Sequence, residues 1–283
     1  MQCYKIIHRT YYNYSSSVTL GAHNLLLRPR ESHELRIESF TLKSIPEAKI
    51  FWHRDVEDNS VAVASFNTPT QQLFIESEVI IQHYNESPLN FIVSDYAINY
   101  PFKYLANDNF ILSSYMVLPN EETRILLNNW IFNIYKYGEK IQTYTLLQKL
   151  ITYIFKNFTY KVREEAGGQT AKQTLSYGSG SCRDFAFLFM EVVKCLGLAT
   201  RFVSGYLYAP LMSDKVGSTH AWAEVYLPGG GWIGFDPTTG NIAGTDHISV
   251  AVSRLPDNVP PIAGSFLGVS DSTISVGVWV TKV

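Results

Sequence analysis

The chain changes its hydrophobic period partway along. Over residues 1–85 short apolar segments alternate with turn residues. Ile37 and Phe40-Thr-Leu42 suggest one strand. Phe66 precedes the turn signal Asn67-Thr-Pro69, and Leu73-Phe-Ile75 and Val79-Ile-Ile81 follow it. Such spacing predicts an antiparallel sandwich or sheet. Residues 86–118, with Pro88, Pro101 and several Asn, read as a connector draped over the next unit.

A helical period then takes over. Ile125, Leu126, Trp130, Ile131 and Ile134 form one face across 119–137. Asn120 is placed to cap that helix, with Glu121 and Glu122 in its first turn, where the helix dipole favours them, and Gly138 as its stop. A second helix is predicted over 142–157 from Leu146, Leu147, Leu150, Ile151 and Ile154. A third begins near Cys182: Phe185, Leu188, Phe189, Val192 and Leu196 fall at i, i+3, i+4, i+7 and i+11, a core-facing stripe that Gly197 ends. Strands follow over 201–208, 219–227 and 232–236. The last two are joined by Pro228-Gly-Gly-Gly231. Pro237 ends the third, because proline cannot donate to a strand ladder. One more β-like stretch covers 274–280. The predicted fold class is α+β: a β-rich, sandwich-like unit over 1–85, then a core over 86–283.

Composition narrows the function classes. Hydrophobic residues make up 46% and aromatics 14% of 283 residues, which excludes intrinsic disorder. A net charge of −2 leaves no electrostatic footprint for nucleic acid or anionic membrane. The N-terminal stretch has no signal-peptide apolar region, and no apolar run reaches a membrane span, so a cytoplasmic location is expected. Three cysteines, Cys3, Cys182 and Cys195, are too few for a disulfide framework, and without a C-x-x-C pair no structural zinc is expected. Phosphate loops, H-E-x-x-H and calcium-loop carboxylate spacing are absent, so no metal and no cofactor are expected.

Candidate chemistry gathers around Cys182, which sits between a Gly/Ser loop, Gly178-Ser-Gly-Ser181, and a predicted helix. The first turn of a helix has unpaired N–H groups and a partial positive charge, and both stabilise a thiolate placed there. The same N–H groups can bind an oxyanion. The plain alternative is a small buried residue. On the strand Thr219-His-Ala-Trp-Ala-Glu-Val-Tyr-Leu227, strict alternation sets His220, Trp222, Glu224 and Tyr226 on one face. His220 is either a solvated histidine or the base that takes the thiol proton. Asp236, at the end of the next strand, is either a turn-starting residue or the acid that orients the imidazole. Register separates these readings. A three-residue turn over 228–230 makes His220 and Asp236 diagonal neighbours on one face, whereas a one-residue slip puts them on opposite faces.

Taken in order, Cys182, His220 and Asp236 lie in segments that resemble the transglutaminase-like superfamily. The matching stretches are Gly180-Ser-Cys-Arg-Asp-Phe-Ala186, Thr200-Arg-Phe-Val-Ser-Gly-Tyr-Leu207, Thr219-His-Ala-Trp-Ala-Glu-Val225 and Gly231-Trp-Ile-Gly-Phe-Asp-Pro-Thr238. The β-rich front half also looks like the N-terminal region of bacterial members. The resemblance implies a papain-like core with Cys182 as nucleophile, His220 as base and Asp236 as orienting acid.

It further implies acyl transfer on amide bonds of a protein or peptide, ending on water or on an amine. A binding or scaffold protein that keeps the fold without turnover is the alternative. Among neighbours, Asp184 reads as a helix cap through Ser181-x-x-Asp184. Trp222 is expected to wall the cleft over the thiol and touch substrate, with a sheet aromatic as the alternative. Cys195 reads as core, Cys3 has no chemical context, and His247 stands alone.

Overall fold

The computed structural model describes residues 1–84, 87–163, 167–209 and 218–283. Alternation builds its first unit. In β1 (Gln2–Leu20) residues Tyr4, Ile6, His8 and Thr10 are all buried. It is followed by β2 (His23–Leu25), β3 (Leu35–Ile45), β4 (Lys49–Arg54), β5 (Ser60–Ser65) and β6 (Thr70–His83). β6 pairs antiparallel with β1 on one side and β3 on the other, while β2, β5 and β4 lie in a second sheet. Tyr14, Val18, Leu73 and Ile75 of the first sheet meet Leu25, Leu27, Ala62 and Ala64, which makes the sandwich core.

The second unit opens with β7 (Asn99–Tyr100), α1 (Ala106–Leu112), α2 (Glu121–Phe132), β8 (Ile141–Gln142) and α3 (Thr143–Asn157). Two aromatic pegs tie the segment before α1 to this unit. Tyr100 donates to the Leu196 carbonyl and Tyr104 to the Tyr226 carbonyl, both at 2.8 Å. Asn120 caps α2 by accepting the Thr123 N–H at 2.9 Å. That helix ends at Phe132, short of Gly138. The N–H groups of Ile134 and Tyr135 both turn back to the Ile131 carbonyl, which keeps Ile131 and Tyr135 buried without regular helix.

Next come β9 (Thr159–Tyr160), α4 (Ala171–Tyr177), β10 (Ser179–Gly180) and α5 (Cys182–Cys195), then β11 (Thr200–Leu207), β12 (Ser218–Leu227), β13 (Gly231–Asp236), β14 (Asn241–Ile242) and β15 (His247–Ser253). The last five strands form one antiparallel sheet in the order β14-β13-β12-β11-β15. The α5 stripe packs on Ala221, Ala223, Val225 and Leu227, the apolar face of β12. Each is half of one core.

The chain then returns to its first unit. β16 (Ile262–Ala263) pairs with β2, and β17 (Phe266–Leu267) and β18 (Ser272–Lys282) pair with β1, Tyr4 facing Lys282. The β-like stretch at 274–280 therefore completes the sandwich rather than the core over 86–283. Strand pairing is non-local, so position in the chain misassigns it. The division drawn at 85/86 falls on residues outside those described.

The two units share a core. Tyr206, Ile248 and Val250, from β11 and β15 of the second unit, pack with Tyr4, Ile6, Val79, Ile81, Val278 and Val280 of the first unit. Asn59 bonds both the N–H and the carbonyl of Val252, each at 2.8 Å. His8 lies 3.0 Å from the Tyr206 hydroxyl, and burial pushes its imidazole down to about 4. Among the described residues no helix is long and apolar enough to cross a membrane.

Because the core is shared, Ile248→Ala should cost the whole chain about 2–5 kcal/mol. Urea unfolding followed by circular dichroism and by tryptophan fluorescence should give coincident single transitions. A separate early transition of either unit would contradict the shared core.

Candidate active site

The helix start that carries Cys182 is fixed by a buried carboxylate. Asp184 has no solvent exposure. It accepts the Ser181 N–H at 2.8 Å, the Ser181 hydroxyl at 2.9 Å and the Gln169 N–H at 2.7 Å. Arg163 donates to both of its oxygens, at 2.9 and 3.0 Å. Burial opposes the charge, but these donors outweigh it and hold Asp184 below its ordinary value. The cap is thus also an anchor for the segment before α4. Gly180 is required there: a Cβ would come within 2.8 Å of the Asp184 Cβ. β10 pairs in parallel with β9, so that Tyr160 sits beside Gly180, two residues before the thiol.

The hairpin holds the register that the chemistry needs. Leu227 faces Gly231, Val225 faces Ile233 and Ala223 faces Phe235, so the turn is residues 228–230. Gly229 and Gly231 adopt φ of +87° and +75°, a backbone region costly for any residue with a Cβ. His220 and Asp236 therefore meet, with His220 Nε2 2.8 Å from Asp236 Oδ2. His220 is only 7% exposed, so the solvated alternative does not hold. Asp236 is completely buried. Its Oδ1 accepts the Thr238 N–H at 2.8 Å, and its Oδ2 accepts the Thr239 hydroxyl at 3.0 Å. His247 Nε2 approaches Oδ2 as well, at 3.1 Å.

These contacts set the charges. Burial opposes an imidazolium at His220, but Asp236 and, to a lesser degree, Cys182 outweigh it and push the ring up to about 10. Burial also opposes a carboxylate at Asp236, yet its two histidine partners hold it well below the ordinary range. With Nε2 committed to Asp236, His220 has Nδ1 left for the thiol. The Cys182 thiol is a close neighbour of both the His220 ring and the Tyr160 hydroxyl, and the three line one cleft. Burial, then the nearby thiol, raises the Tyr160 phenol to about 12, so it is a hydroxyl donor at any working pH.

Cys182, His220 and Tyr160 open into a cleft of about 710 Å³. Its far wall is apolar, built from Pro256, Val259 and Pro260 and from Val276 and Val278 of β18. Trp222 is not part of it. The indole is 2% exposed, packed on Val203 and Val252, 6.2 Å from the His220 ring and 5.1 Å from the His247 ring. It borders a second cavity, of about 490 Å³, along with Arg201, Glu224 and His247. The expectation that Trp222 walls the thiol's cleft is corrected on this point: Val203 of β11 and Val252 of β15, with His247, cover the indole. Cys195 is half-buried in the core, and burial raises its thiol to about 11.

Three groups at the site escape a sequence reading. Arg163 and Tyr160 lie about twenty residues before Cys182 with no motif around them. His247 opens β15, which carried its own signal in Ile248-Ser-Val-Ala-Val252, a β-branched run bounded by turn residues. His220, Asp236 and His247 are also of metal-ligating type, with one ligand atom of each within 4.8 Å of the others. Their separations from Asp236 are hydrogen-bond lengths, and protons satisfy the cluster as it stands.

A helix-borne thiol set against a strand-borne imidazole and carboxylate, in an α+β core, defines the class of protein. A profile of the transglutaminase-like superfamily matches residues 133–237, and one of the bacterial transglutaminase-like N-terminal region matches residues 4–82. Together they take in more than half of the chain, and it belongs to the transglutaminase-like superfamily. Uncharacterized proteins of Mycobacterium tuberculosis and Mycobacterium bovis are each 27% identical over 283 residues, 96% of this chain and 90% of theirs. One from Mycobacterium leprae is 36% identical over 109 residues, 37% of this chain and 38% of its own. A crystal structure of a candidate cysteine protease from Cytophaga hutchinsonii superposes with a TM-score of 0.77 at 18% identity, covering 99% of this chain and 90% of that one. The likeness shows a common fold. Cysteine-based catalysis in general fits this family.

The His220–Asp236 pair has a pH signature. His220 holds its proton to higher pH when folded, so its contribution is complete below the ordinary 6.5 and fades as pH rises through about 10. Asp236 works in the opposite sense, contributing above the ordinary 3.8 and losing that contribution as pH falls. The thermal midpoint of the wild type should therefore converge on that of His220→Gln between about pH 6 and about pH 10. A constant gap would contradict a charged pair.

Proposed function

We propose that this protein is a cysteine-dependent acyltransferase that acts on amide bonds of proteins or peptides. The observation that carries the reading is the series Cys182, His220, Asp236 at the edge of an open cleft, with the thiol beside the imidazole and the imidazole hydrogen-bonded to the carboxylate. In the resting site His220 Nδ1 already holds the proton it exchanges with Cys182, and the sulfur forms a bond to the substrate carbonyl carbon as the C=O π bond opens. The resulting oxyanion is met by the backbone N–H of the first helical turn, which has no intrahelical partner, and by the Tyr160 hydroxyl. The C–N bond then breaks, and His220 returns the proton to the leaving amine. This leaves a thioester on Cys182. Water or a primary amine attacks the thioester, His220 takes its proton, and the thiol is released. Water makes the protein a peptidase or amidase, and an amine makes it a transamidase. Asp236 stays ionised throughout and keeps the imidazole in the Nε2–H orientation.

The apolar cleft wall and the near-neutral charge favour polypeptide over polyanion substrates. Iodoacetamide labelling between about pH 5 and about pH 9 tests the nucleophile directly. Cys182 should alkylate much faster than Cys195, with a pH dependence that His220→Gln abolishes. Equal rates at the two thiols would leave the non-catalytic scaffold as the better reading. Peptide libraries incubated with and without a primary amine, read by mass, distinguish released fragments from amine adducts, and Cys182→Ala should give neither.

Tyr160→Phe separates acyl transfer from simple thiol reactivity. Alkylation forms no oxyanion, so its rate should stay near wild type. Turnover of an amide substrate should fall roughly a hundredfold, the usual cost of one oxyanion donor. Equal loss in both assays would assign Tyr160 to the thiol alone.

A further inference from the structure

The tautomer of His247 can be assigned from its neighbours. The Gly244 N–H donates to His247 Nδ1 at 3.3 Å, so that nitrogen is the acceptor. The proton then lies on Nε2, which donates to Asp236 Oδ2 at 3.1 Å. His220 Nε2 reaches the same oxygen at 2.8 Å. The two imidazole centroids stand 5.9 Å apart, and Trp222 packs against both. Thr239 and the Thr238 N–H supply the remaining donors.

The turn that presents His247 is held from outside the catalytic sheet. The Tyr4 hydroxyl donates to Asp246 at 2.9 Å, and the His83 ring of β6 lies close to the His247 backbone. The Tyr208 N–H donates to the Asp246 carbonyl and the His247 N–H to the Gly244 carbonyl, both at 2.9 Å. Tyr4 and His83 belong to the sandwich, so the first unit grips the residue that touches Asp236.

We propose that His247 is a positioning residue: as a neutral Nε2–H donor, clamped by the sandwich unit, it locks the Asp236 carboxylate in the rotamer that orients His220. The assignment gives the first unit a part in the reaction without any contact to substrate. It rests on the reading of Cys182 as nucleophile and His220 as its base.

The test compares His247→Gln, whose side-chain N–H replaces the donor, with the near-isosteric His247→Met, which has none. The readout is the rate of Cys182 alkylation by iodoacetamide at neutral pH, with thermal midpoints measured alongside. A hydrogen bond to a buried charge is worth roughly tenfold or more in rate, so Met should lose that much while Gln stays within about threefold of wild type. In an Asp236→Ala background, replacing His247 by Met should change nothing further, because the effect runs through the carboxylate. A wild-type rate in the Met variant, equal losses in Gln and Met, or an undiminished loss in the Asp236→Ala background would each overturn the proposal. Should the Met variant fail to fold, the Gln variant decides: a folded protein with a tenfold loss overturns it, and a near-wild-type rate supports it. Failure of the underlying reading looks different, because wild-type Cys182 would then alkylate no faster than Cys195.

Discussion

A carboxylate with no solvent exposure governs this molecule. Removing such a group from water costs several kcal/mol unless every lone pair finds a donor. Asp236 finds four, from two imidazoles, a hydroxyl and a backbone N–H. The surrounding sequence serves that need. The glycine turn sets the strand register, Pro237 ends the ladder, and Thr238 and Thr239 fold back over the oxygens. An imidazole bound to such a carboxylate keeps its orientation and its proton.

A second buried carboxylate does the matching work beside the thiol. Asp184 draws in Arg163, Gln169 and Ser181 and so fixes where α5 begins. One acid thus positions the sulfur and the other positions the nitrogen. Neither needs to touch a substrate. Both are saturated with donors, so the site is rigid at its two anchors and open only between them, toward the cleft.

The sequence made the local pieces legible. The stripe from Phe185 to Leu196 marked α5, and alternation from Thr219 to Leu227 marked β12. The even register followed from a three-residue turn, but the sequence left the length of that turn open. Asp184 read as a cap because its partner lies three residues away. What escaped was non-local. Arg163 meets Asp184 across 21 positions, and His247 meets Asp236 across 11. Tyr4 reaches Asp246 across 242 positions, and no periodicity reports such a contact. Trp222 was misplaced for a related reason: alternation reveals which residues share a face, but not what lies against that face. β18 was seen as a strand, but its partner β1 stands at the other end of the chain.

That pairing has a consequence for how the protein comes into being. The ribosome delivers Cys182, His220, Asp236 and His247 before it delivers any of β18. A nascent chain at that stage holds its thiol and its imidazole but lacks Val276 and Val278 on the far wall of the cleft, and Val278 and Val280 in the core that joins the two units. A chain clipped before β18 remains in the same state. The thiol acquires these surroundings only when β18 closes against β1, so the cleft is completed by the same pairing that completes this sheet.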